Sequence, residues 1–289
     1  MKFGTVSESP SDRLRIVLVS YLNTYPIVWG LKKIADNYQP DIILAPPAQC
    51  TQSLLSDKVG VALVPSITYL HSILAFELLP FGIVTQKQID TVLLVGNRPF
   101  EEWKTVFLDT DSLTSVQLAK ILFRLKKLSP HFISGIEGIE HLGDQSGALI
   151  IGDKCFTLAS RFSMVYDLST EWFALTGLPF VFAFFLVRPQ LEKAKLKESY
   201  RMIKEAIEVG INNLDQVIEE WFDENPQERN QKDHAYYYDY LKNKISYFLT
   251  SDALLGLREF FQKCEEPLPP EKEARLTPEY FHALGMTAS

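Results

Sequence analysis

The chain is sparing with the residues that build covalent frameworks and metal centres. Its three cysteines, Cys50, Cys155 and Cys264, are far apart and include no CxxC pair, which excludes a disulfide scaffold or a structural zinc site and fits a reducing cytoplasm. The five histidines, His71, His131, His141, His234 and His282, form no HxxxH or HExxH pair, so no metal is expected. There is no GxGxxG, no Walker sequence and no GxSxG elbow, which argues against nucleotide cofactors and serine triads. Basic residues are outnumbered, 29 against 36 acids, leaving a net charge of −7 and no electrostatic footprint for nucleic acid. Long apolar runs are absent too: the longest, Leu178 to Val187, is about half a membrane span. The opening MKFGTVSESPSDRLRIV lacks the apolar core of an export signal, so a cytoplasmic protein without a membrane partner is expected, its first dozen residues a disordered tail.

What is present is ample core material. With 289 residues, 46% hydrophobic and 22% charged, the chain suits two compact domains or one large one. A local pattern recurs four times: a short apolar run, a small polar turn, then apolar residues at three- and four-residue spacing. It appears at Arg15–Ser20 with YLNTYP and IVWGLKKIA; at Val61–Val64 with Pro65, Ser66 and ITYLHSILA; at Thr105–Leu108 with DTDSLTS and VQLAKILFRLKK; and at Ala148–Ile151 with GDKCFTLAS. Each reads as a strand-to-helix junction. Pro26 suits a first helical turn, where its missing N–H costs nothing, with Asn23 or Thr24 as the cap. In α/β sheets such turns gather at one end, so small polar residues from all four are expected to converge on a crevice.

Two longer extended stretches, Ile83–Val95 and Leu178–Val187, flank a self-contained αβ segment, and from Leu191 onward the chain reads as strongly helical. This predicts residues 1–88 and 188–289 as one discontinuous lobe, residues 89–187 as an inserted second lobe, and the two extended stretches as crossing strands with the ligand cleft between the lobes.

Ser112, Thr114 and Ser115 open a helix, where hydroxyls and free N–H groups hold a carboxylate; ordinary capping is the commoner use of such residues. Asn23 is equipped to donate and accept toward a ligand and Tyr21 to pack against a flat ring, or the pair forms a capped turn around a buried tyrosine. Asp153 suits an acid or base, and more often a cap. Thr85 and Thr91 fall on the same face of one strand by period-two alternation. The run YYYDY, Tyr236–Tyr240, reads better as partly buried packing than as a sticky surface.

The strings VSYLNTYPIVWGL, ALVPSITYL, SLTSVQLAKIL, ALIIGDKCF and YDLSTEWFALTGLPFVFAFFLV, in this order, resemble the chorismate dehydratases of the futalosine route to menaquinone, and the likeness runs from about Arg15 to Cys264. The resemblance implies an α/β, periplasmic-binding-protein type II-like fold, two α/β lobes joined by two crossing strands. It implies a cofactor-free lyase whose partner is the small dicarboxylate chorismate, dehydrated to 3-[(1-carboxyvinyl)oxy]benzoate. Carried over by motif, Asn23 and Thr91 become the catalytic residues, and Ser20, Tyr21, Ser66, Ser112, Thr114, Ser115, Gly152 and Asp153 hold the substrate. Three positions depart from the family pattern: Thr91 stands for a serine, Lys87 for a glycine and Leu113 for an arginine. Leucine cannot grip a carboxylate as a guanidinium does. Two alternatives are a cytoplasmic carboxylate-binding protein without catalysis and the related 1,4-dihydroxy-6-naphthoate synthase, whose histidine is missing from ALIIGDK.

Overall fold

A computed structural model describes residues 13–56, 58–73 and 75–287; the N-terminal dozen lies outside the described residues. Eleven strands, most of them separated by helices, occur among the described residues: β1 (Arg15–Val19), β2 (Asp41–Ala45), β3 (Val61–Pro65), β4 (Glu77–Thr85), β5 (Val92–Gly96), β6 (Thr105–Leu108), β7 (His131–Ser134), β8 (Ser146–Ile151), β9 (Met164–Asp167), β10 (Phe180–Val187) and β11 (Ser246–Phe248). They form two mixed sheets. The six-stranded sheet has the order β11-β4-β10-β3-β1-β2 and the five-stranded sheet the order β7-β6-β8-β5-β9. β1 is parallel to β2 and β3, and β6 to β7 and β8, whereas β10 runs antiparallel to β3 and β4. The fold is therefore α/β with two lobes, and the chain passes between them twice, from β4 to β5 and from the helix Leu168–Thr176 to β10.

The unbroken apolar runs follow from burial on both faces: every residue of β3, β5 and β10 is buried, so these strands have no polar face to alternate with. The helix Lys193–Ile211 packs on the helix Tyr25–Lys33 along its apolar face.

Two expectations are corrected. Ile83–Val95 is not one extended stretch. It breaks at residues 86–91, where Asp90 has φ 62°, a left-handed conformation that aspartate tolerates better than most residues. One carboxylate secures the break: Asp167 Oδ2 accepts from the N–H groups of Ile89 and Asp90 at 2.9 and 2.7 Å. Its Oδ1 caps the helix Leu168–Thr176 through Ser169 and Thr170 at 2.9 and 3.0 Å, so a single side chain ties the first connection to the segment leading into the second. Thr85 and Thr91 consequently sit on different sides of a turn, and period-two alternation does not relate them. The helical reading after Leu191 is also interrupted: β11 pairs with the edge of β4 because Tyr247 and its aromatic neighbour Phe248 suit a half-buried strand.

Candidate functional site

The junctions after β1, β3, β6 and β8 meet at one crevice between the sheets. Its wall is Val19, Tyr21, Asn23, Thr24, Pro47, Pro65, Ile83, Ile89, Thr91, Val92, Ser112, Ser115, Ile151, Gly152, Phe182 and Ala183, around some 480 Å³ of empty space including the open mouth. All four junctions, the connection from β4 to β5 and the strand β10 contribute, as the pooling of loops at strand ends requires. Among the described residues, no Asp, Glu, His, Lys or Arg stands on this wall.

The turn after β1 is a 3₁₀ turn, Leu22–Thr24, running straight into the helix Tyr25–Lys33. Neither Asn23 nor Thr24 caps that helix through its side chain, which leaves the Asn23 carboxamide available to the crevice. Thr24 Oγ1 donates to Asn23 Oδ1 at 3.2 Å. Thr91 is buried at the start of β5, its Oγ1 3.0 Å from the phenol oxygen of Tyr240. Tyr240 is thus a polar anchor for Thr91 behind the wall, and burial holds its phenol protonated. Sequence reading missed it because it lies some 150 residues from Thr91 in a run that resembles packing. Tyr237 of that run is buried and does pack, with Phe156 and Phe222.

Ser112 caps the helix Leu113–Leu125, its Oγ accepting from Ser115 N at 3.4 Å and from Ser115 Oγ at 3.1 Å, and both serines face the crevice. Thr114 does not line it. Its Oγ1 accepts from Ile67 N at 3.1 Å, bonding one lobe to the start of a helix in the other. Ser66 is also committed elsewhere, donating to Val181 O at 2.6 Å, and Ser20 is exposed beside Tyr21 rather than on the crevice wall. Lys87 is exposed and lies over the Phe173 ring, 5.1 Å from its centroid, and is not on the wall; Leu113 is likewise exposed.

Gly152 has φ +77° and receives the Tyr21 ring so closely that a Cβ would lie 2.8 Å from Tyr21 Cε1. Only glycine satisfies both demands. Its neighbour Asp153 does not cap its own helix. Both of its carboxylate oxygens accept from Leu22 N, at 3.2 and 3.0 Å, across the lobes. Burial pushes the Asp153 carboxyl up to about 7, with the Leu22 N–H pulling the other way and Glu228 adding to the rise. Its ordinary value is 3.8, so between about pH 4 and 7 the native chain binds more protons than the unfolded one. Stability therefore falls as pH rises through that window and levels off above it. Asp153→Asn is expected to flatten the fall by on the order of 1–2 kcal/mol between about pH 5 and 7.5, measured by urea unfolding at both values. Parallel pH profiles for the two proteins would show that this carboxyl does not titrate in that window.

Burial and the carboxylates of Asp111, Asp109 and Asp153 hold the Tyr21 phenol protonated, so it meets a ligand as a neutral hydrogen-bonding group. Among the described residues, no three His, Cys, Asp or Glu side chains are grouped to hold a metal ion, and no helix is long and apolar enough to cross a membrane.

Residues 14–266 match the family model described as menaquinone biosynthesis. The chain is 30% identical over 247 residues to the chorismate dehydratase of Thermus thermophilus, covering 79% of this chain and 88% of that one. It is 29% identical over 166 residues to the chorismate dehydratase of Campylobacter jejuni, covering 57% and 59% respectively. Its backbone is similar to that of the periplasmic aliphatic sulphonate binding protein SsuA from Escherichia coli, with a TM-score of 0.60 and 16% identity over 87% of this chain and 86% of that one. A Candida albicans gene product with the generic periplasmic binding protein fold gives a TM-score of 0.57 at 8% identity, covering 96% of both chains. The fold is that of the periplasmic binding proteins.

Proposed function

This chain belongs to the menaquinone-biosynthesis family, and from that premise we propose that it is a chorismate dehydratase, releasing water from chorismate to give 3-[(1-carboxyvinyl)oxy]benzoate. The observation that carries the reading is the wall itself: neutral hydrogen-bonding groups, Asn23 and Thr91 among them, set in apolar surface between two lobes. Such a site orients a reactant and polarises one bond. It suits a reaction whose product is stabilised by aromaticity and needs little more than alignment.

In this reading the ring lies against Tyr21, and a substrate carboxylate meets the hydroxyls of Ser112 and Ser115 at the positive end of the helix Leu113–Leu125. Asn23 and Thr91 hydrogen-bond the leaving hydroxyl. The ring C–H adjacent to the C–O bond loses its proton, its electron pair becomes the third ring double bond, and the C–O pair departs with oxygen. The wall supplies no carboxylate, imidazole or amine to take that proton, so the acceptor is the substrate's own enolpyruvyl carboxylate. The proton it takes and the departing hydroxyl together make up the released water.

The test is incubation of purified protein with chorismate and detection of the dehydrated product by mass spectrometry. Conversion supports the lyase. A protein that chorismate stabilises against heat but does not convert would instead be a binding protein of this fold. At a hundredfold excess over Kd that stabilisation amounts to about 2.7 kcal/mol. Leu113, standing where the family pattern has an arginine to grip a carboxylate, is the observation that favours this second reading.

A further inference from the structure

Thr24 is fully buried on the crevice wall, and its hydroxyl is given to its neighbour: Oγ1 donates to Asn23 Oδ1 at 3.2 Å. The backbone that carries the pair is held at both ends of its 3₁₀ turn. Leu22 N donates to the Asp153 carboxylate of the other lobe, and Thr24 N donates to Tyr21 O at 3.0 Å. A β-branched side chain on a pinned backbone has few rotamers open to it, so the Thr24 hydroxyl keeps its aim.

Hydrogen-bond capacity then gives the two groups that meet the ligand opposite characters. A carboxamide accepts at one end and donates at the other, and Thr24 occupies the accepting end, so what Asn23 brings to the crevice is its N–H₂. Thr91 is the reverse. Its only proton goes to Ile89 O at 3.4 Å, so the Tyr240 phenol, 3.0 Å away, is the donor between those two oxygens, and Thr91 keeps a lone pair. We propose that Thr24 is a positioning residue that fixes Asn23 with its donating end toward the ligand; this rests on the dehydratase reading above. Asn23 and Thr91 together then fit a hydroxyl group, whose oxygen accepts from Asn23 and whose hydrogen is donated to Thr91. With the amide reversed, its oxygen would face the departing oxygen and oppose the charge that gathers there.

Thr24→Val keeps the shape and removes the hydroxyl, whereas Thr24→Ser keeps the hydroxyl. The expected result for Thr24→Val is a kcat lower by ~10-fold, about the worth of one neutral hydrogen bond. KM is expected to stay within about twofold of wild type, because the interaction lost acts in the transition state. Thr24→Ser is expected to recover most of the loss, which a role in packing alone would not produce. In an Asn23→Ala background Thr24→Val is expected to cost little more, since Thr24 acts only through Asn23. A neutron structure of the wild type, in which deuterons tell the amide N–D₂ from its oxygen, is expected to show the N–D₂ facing the crevice and the Thr91 deuteron directed at Ile89 O. A Thr24→Val kcat within about twofold of wild type, a Thr24→Ser variant as impaired as Thr24→Val, or losses that multiply with that of Asn23→Ala would overturn the proposal. If wild type converts no chorismate, the dehydratase reading fails by itself; the neutron structure then decides the positioning claim, and an Asn23 oxygen facing the crevice would refute it.

Discussion

Asn23→Ala is expected to lower the kcat for chorismate dehydration by about 10³-fold, the loss typical of removing one aimed donor from a water-excluded site. Asn23 is 8% exposed, sits in a wall made mostly of apolar side chains and has no cap to make. In such surroundings a hydrogen bond to developing negative charge on the leaving oxygen is worth far more than in water. Alanine removes that donor, so the loss falls on the chemical step more than on binding. Asn23→Asp fails for a different reason: it keeps the shape but places a carboxylate where negative charge has to build. Steady-state kinetics with chorismate check both variants, and wild-type turnover in either one would take Asn23 out of the chemistry.

Gly82→Ala is expected to be the most damaging small change to stability among those that bear on the site. Gly82 lies in β4 opposite Phe184 of β10, and a Cβ there would stand 2.2 Å from Ala183 O and 2.9 Å from Phe184 Cα. These obstacles are backbone atoms in a buried ladder, so no rotamer change relieves the overlap. The strands have to part, and the expected cost is roughly 3 kcal/mol or more, which is about 6–12 °C in Tm for a chain of this size. Ile83 follows Gly82 directly, and Phe182 and Ala183 face it from β10, all three on the crevice wall, so parting the strands also unseats the floor of the site. Calorimetry would decide the matter; a Tm within about 2 °C of wild type would show that the two strands yield more easily than their packing implies.

The architecture was legible because it is written in local signals. Apolar runs followed by small polar turns marked the four junctions, and β3 and β10 read as strands because burial on both faces leaves them continuously hydrophobic. Lone positions were harder. Asp90 looked like one more strand residue, and only its left-handed backbone, secured by Asp167 from another strand, turned one predicted crossing strand into β4, a turn and β5. Asp153 looked like a helix cap and instead spans the lobes to Leu22. Ser66 and Thr114 have the right chemistry in the right loops, yet their hydroxyls are spent on Val181 O and Ile67 N. A sequence states what a side chain is able to bond, and the nearest partner in space decides what it does.

The sequence by itself determined the two-lobed α/β plan, the four polar turns and the family, because these depend on periodicity, turn chemistry and ordered motifs that neighbouring residues carry together. Tertiary structure alone decided which hydroxyls face the crevice, that Lys87 lies away from it over Phe173, and that Tyr240 stands behind Thr91. Those outcomes rest on contacts between segments as much as about 150 residues apart, and the direction of a buried hydrogen bond is settled by whichever group packing delivers to it.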